Sequence, residues 1–136
     1  LMSRPAGPGE EAAVAWIVNM FGAIGSPGYP SNADTLRERA LASVRRAWHP
    51  AGSARQLLAI VADGDRTPLL ARITAPTRIV HGLDDPLVPV ASGQQLAQHI
   101  AGAQTDFIPG MGHDLPDMLL GHFATGIAEN AARAHP

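Results

Sequence analysis

The chain of 136 residues contains no cysteine and no lysine. Without cysteine there are no disulfides, no thiolate chemistry and no Cys-type zinc site. The ten basic residues are all Arg and are scattered, with Arg45-Arg46 the only adjacent pair, against 12 Asp plus Glu. No basic stripe therefore favours nucleic acid or an anionic membrane. Long apolar runs are also missing. The stretch from Ala12 to Gly25 is interrupted by Asn19 and is too short to span a bilayer. It fails as a signal peptide too, because Glu10 and Glu11 stand where positive charge belongs. These absences lead to the expectation of a cytoplasmic protein with no nucleic-acid or membrane partner. What remains is ordinary for a folded domain, or a piece of one, at 46% hydrophobic and 16% charged residues. The opening Leu1-Met2, reading at once into a helix, suggests a fragment of a longer chain.

The two halves differ in periodicity. Residues 1–73 read as consecutive helices. Val14, Ile17, Val18 and Phe21 fall on one helical face, closed by Gly22 and Gly25-Ser26-Pro27-Gly28. A second helix is expected from Ser31-Asn32, with Ser31 and Asp34 as a capping box. Its apolar face would carry Leu36, Ala40, Val44, Ala47 and Trp48, and Pro50 would stop it. Ser53 is placed as the cap of a third helix through Leu57, Leu58 and Val61, and Thr67-Pro68 opens a short fourth helix to about Ile73.

Beyond Pro76 the pattern changes. Thr77 to His81, ended by Gly82, is a β-branched run that predicts a strand. Val90 to Ala101 predicts a helix with Gly93, Leu96, Ala97 and Ile100 on one side. Thr105 to Ile108 predicts a second strand, and a final helix from Pro116 would bury Leu119, Phe123, Ile127 and Ala131. Strand, helix and strand in this span form a βαβ unit, whose strands are parallel. The loops after His81 and after Ile108 then leave from the same carboxyl edge of the sheet, where open α/β sheets bind ligands.

The first of these loops contains Asp84 and Asp85, the second His113 between Gly112 and Asp114. A carboxylate accepting from a histidine Nδ1–H fixes the tautomer, holds the ring and stabilises the imidazolium formed in proton transfer. Each residue alone has a plainer explanation, since Asp-Asp-Pro is common turn chemistry and a loop histidine needs no special role. Their convergence on one sheet edge favours Asp85 with His113, leaving Asp84 as a local turn acceptor. His81 is expected to bond locally. His49 is expected at a helix C-terminal end, where positive charge is favourable, and His99, His122 and His135 on exposed helix surface. No metal-ligand spacing occurs.

At these two loops the sequence resembles the C-terminal part of the α/β-hydrolase fold superfamily. Gly82, Asp85, Val88 and Pro89 match its G-x-x-D-x-x-V-P pattern, and Gly110, Gly112 and His113 match its histidine loop. Residues 1–73 look like a helical cap, and Ile24 to Pro30 resembles a cap segment of actinobacterial members. The resemblance implies an α/β fold, with a cap over 1–73 and the C-terminal part of the core over 74–136. It implies Asp85 and His113 as the acid and base of a catalytic triad. It also implies a small apolar ester or acyl substrate, or a peptide with a free proline end, and neither cofactor nor metal. The departure is the nucleophile. The family places it on a strand–turn–helix elbow, G-x-S-x-G, upstream of the cap. None of Ser3, Ser26, Ser31, Ser43, Ser53 and Ser92 has that setting. Two alternatives stay open: an upstream Asp nucleophile, as in epoxide hydrolases and dehalogenases, or a catalytically inert truncated module. Either way the missing N-terminal half is the expected partner, with a homo-oligomer as the other way to cover exposed edges.

Overall fold

The computed structural model describes residue 7 and residues 9–134; Ser3 and His135 lie outside them. Among these residues the order is α1 (Glu10–Ile24), α2 (Ala33–Arg46), α3 (Pro50–Asp63), α4 (Thr67–Leu70), β1 (Arg78–Gly82), α5 (Val90–His99), β2 (Gln104–Ile108), a 3₁₀ turn (Asp117–Leu119) and α6 (Leu120–Ala132). The chain divides into two compact units. One comprises the described residues up to Ala23 together with Asn32–Arg66; the other comprises Ile24–Ser31 together with the residues from Thr67 onward.

The first unit is helical. In α1, Ala13 and Val14 are buried, and Ile17, Val18 and Phe21 are half-buried, as the spacing predicts. The α2 start differs from the capping-box reading. Asn32 alone caps the helix, its Oδ1 accepting from the amides of Asp34 and Thr35 at 2.9 and 3.1 Å, so Asp34 contributes its N–H and not its carboxylate. α2 ends at Arg46, which puts Ala47 and Trp48 beyond it. Pro50 therefore opens α3 instead of stopping α2, because a first-turn proline lacks only an N–H that has no helical partner anyway. It follows that His49 is the N-terminal flank of α3, not a helix C-terminus, and that Ser53 lies inside the helix rather than capping it. Trp48 still packs edge-on against Trp16, ring centroids 5.9 Å apart. Leu57, Leu58 and Val61 of α3 are exposed.

The second unit holds a two-stranded parallel sheet in the register Ile79↔Thr105, Val80↔Asp106 and His81↔Phe107. Because side chains alternate, Ile79, His81, Thr105 and Phe107 share one face, and Arg78, Val80, Asp106 and Ile108 share the other. α5 covers the first face. Its Gly93 sits so close that an added Cβ would lie 3.1 Å from both the His81 ring and the Phe107 ring. α6 covers the second face, and its approach corrects the expected apolar stripe. Leu119, Phe123, Gly126 and Asn130 are the buried or half-buried positions, while Ile127 is 71% exposed. Gly126 leaves room for the Arg78 side chain, and Asn130 Nδ2 donates to the Pro76 carbonyl at 2.9 Å. The helix is thus docked by a small residue and polar contacts rather than by an aliphatic row. α4 and α5 end three and two residues earlier than the sequence suggests, at Leu70 and His99.

Candidate active site

Both strands point their carboxyl ends the same way, so the loops after Gly82 and Ile108 emerge side by side. The main chain stitches them together. Leu83 N donates to Ile108 O, and Asp84 N donates to Met111 O, each at 3.0 Å. Gly82 permits this approach, since a Cβ there would sit 2.2 Å from the Met111 carbonyl oxygen.

Within the first loop Asp85 has two jobs. Its Oδ1 accepts from the amides of Leu87 and Val88, both at 2.8 Å, which closes the turn. Its Oδ2 lies 2.7 Å from His113 Nδ1 on the second loop. The side chain of Asp85 is 6% exposed and that of His113 41%. Burial works to raise the Asp85 pKa. The Val88 amide, His113 and the Leu87 amide outweigh it and hold the carboxyl below its ordinary value. Asp85 is therefore a carboxylate at neutral pH, which assigns the proton between the two groups to His113 Nδ1. The ring nitrogen left for exchanging protons with a bound molecule is Nε2.

Asp84 differs from its reading as a local turn acceptor. Its Oδ2 accepts from the Gly110 amide at 2.6 Å, 26 residues away, and so braces one loop against the other. His81, expected to bond locally, places its Nε2 2.9 Å from the Val88 carbonyl, holding the far end of the Asp85 turn.

A second carboxylate–imidazole contact escaped the sequence reading. His122 Nε2 lies 2.6 Å from Asp106 Oδ2. The same oxygen accepts from Arg78 Nη2 at 3.1 Å, and Arg78 Nη1 reaches Glu129 at 2.7 Å. Burial opposes ionisation of Asp106, but His122 and Arg78 together hold its pKa below the usual range. With an arginine already compensating its charge, Asp106 belongs to an ion-pair network tying α6 to the sheet. Its signal was in the sequence, since strand alternation and register put Arg78 and Asp106 on one face.

Ser26 is buried, at 5% exposure. Its hydroxyl donates to Asp114 Oδ1 and accepts from the Gly112 amide at 2.9 Å. Among the described residues no group of three or more His, Asp or Glu could hold a metal ion, and no helix is long and apolar enough to cross a membrane.

No protein-family model matches the chain. Over 116 residues it is 30% identical to rhodomycin D methylesterase DauP of Streptomyces sp. (strain C5), a match covering 85% of this chain and 39% of that protein. By structure it resembles a serine hydrolase involved in carbazole degradation, the CarC enzyme, with a TM-score of 0.64 and 18% identity over 88% of this chain and 47% of that one. The chain thus spans less than half the length of either protein.

Proposed function

Starting from a chain whose fold is shared with the α/β-hydrolases, we propose that it supplies the acid and base of a serine esterase, within a longer protein that carries the nucleophile. The observation that carries this reading is the 2.7 Å contact between Asp85 Oδ2 and His113 Nδ1 at the carboxyl edge of parallel strands. In the mechanism His113 Nε2 takes the proton from the nucleophile as it attacks an ester carbonyl, and Asp85 stabilises the imidazolium that results. The proton then passes to the leaving alkoxide. In the second half His113 deprotonates water, which attacks the acyl-enzyme and returns the nucleophile. Nucleophile and oxyanion hole both come from outside these 136 residues. Ser26 is not a candidate, because its hydroxyl is occupied by Asp114 and Gly112.

On this reading residues 1–73 form a cap, and the substrate is an apolar carboxylic ester or related acyl compound. The methylesterase relative favours an ester over a peptide. Replacing His113 with Ala in the complete protein tests the assignment. Turnover of a methyl or p-nitrophenyl ester is expected to fall by about three or more orders of magnitude, with circular dichroism unchanged. Retention of near-normal turnover would remove His113 from the mechanism. Separately, the 136-residue chain by itself is expected to take no label from a fluorophosphonate, because it lacks an activated serine.

A further inference from the structure

The segment just after α1 lies antiparallel beside the histidine loop and within the same unit. Gly28 N donates to Gly110 O at 2.8 Å, and His113 N donates to Ile24 O at 2.7 Å. Between these two main-chain bonds sits Ser26. The Gly112 amide, on one side of His113, donates to its Oγ, and the Asp114 carboxylate, on the other side, accepts from it. One buried hydroxyl therefore spans the residues that flank His113. The two backbones are nearly in contact, and a Cβ on Gly112 would lie 2.4 Å from the Gly25 carbonyl oxygen. A rotation of the His113 main chain would strip Gly112 N–H of its acceptor in a buried place, which costs more than the bond itself contributes. The link to Asp114 is charge-assisted, the stronger kind of hydrogen bond.

We propose that Ser26 is a positioning residue: a hydroxyl clamp that fixes the backbone of His113 so that its Nδ1 stays aimed at Asp85. Its importance for turnover rests on the hydrolase reading above; its effect on the ring does not. Ser26→Ala removes the clamp without adding bulk. In the full chain labelled with ¹⁵N-histidine, the parent should show a low-field His113 Nδ1–H resonance from the bond to Asp85. Ser26→Ala should broaden or lose it while circular dichroism is unchanged. Asp114→Asn leaves an oxygen for the hydroxyl to donate to and should keep the resonance. In the complete hydrolase, Ser26→Ala should lower kcat at least tenfold with KM within about twofold, the mark of a misaimed base rather than a lost binding contact.

The proposal is overturned if Ser26→Ala keeps the parent's resonance and exchange rate, or if the resonance vanishes and kcat does not change. Should Ser26→Ala fail to fold, Asp114→Ala cuts the other end of the clamp and is read the same way. If the resonance responds as expected but the complete parent protein hydrolyses no ester, the clamp stands and the hydrolase reading falls.

Discussion

Replacing Gly82 with alanine puts one methyl group where two loops meet. Its carbon would lie 2.2 Å from the Met111 carbonyl oxygen and 2.6 Å from that of Gly112, whereas ordinary contact begins near 3.4 Å. These obstacles are backbone and cannot swing aside, so the histidine loop has to retreat by about 1 Å or β1 has to buckle. Overpacking of this kind costs about 1–3 kcal/mol. The retreat also stretches the bond from Asp84 N to Met111 O, worth about 0.5–1.5 kcal/mol. A total loss of about 1.5–4.5 kcal/mol follows from those two contributions. Urea unfolding of the full chain should show a midpoint lower by about 1 M or more with the slope unchanged. In the complete protein, a shift of about 1 Å in His113 should cost turnover on the order of a hundredfold. Gly121→Ala in α6 is the control, because nothing lies within 4 Å of its added Cβ, and it should stabilise by about 0.4–1 kcal/mol. Equal midpoints for Gly82→Ala and the parent would mean that the loops do not cross over Gly82 as described.

Two further outcomes can be checked on the same chain. Asp85 and Asp106 both have pKa values lowered on folding, so each adds stability that is complete above the unfolded carboxylate value of about 3.9 and is lost as pH falls through the lowered one. Urea midpoints should be flat above about pH 5 and decline below about pH 4, and a rise in stability on acidification contradicts the assignment. Asn32→Ala should cost about 0.5–2 kcal/mol, because two amides at the start of α2 lose their acceptor; an unchanged midpoint contradicts the cap.

The sheet half was legible because its signals are local and redundant. A β-branched run ended by Gly82, a helix, and a second run ended by Pro109-Gly110 leave one arrangement, and that arrangement brings Asp85 to His113. The helical half was less legible where competing residues could do the same work. Ser31, Asn32 and Asp34 could each take part at the start of α2, and only Asn32 supplies the cap. Pro50 reads equally as a stop or a start. In α6 the aliphatic pattern pointed to Ile127, but the sheet surface it meets carries Arg78 and Asp106, and that charged surface is met by Gly126, His122 and Glu129. The partner of Ser26 could not be read at all, because no spacing rule links residues 88 positions apart.

That separation has a consequence for the order in which the protein is made. Residues 24–28 leave the ribosome long before residues 110–114 exist, and a polypeptide emerges at about 5–20 residues per second. The early segment therefore waits several seconds for the loop it will lie beside. The imidazole can take up its final aim only once residues 110–114 have emerged beside the segment that waits for them.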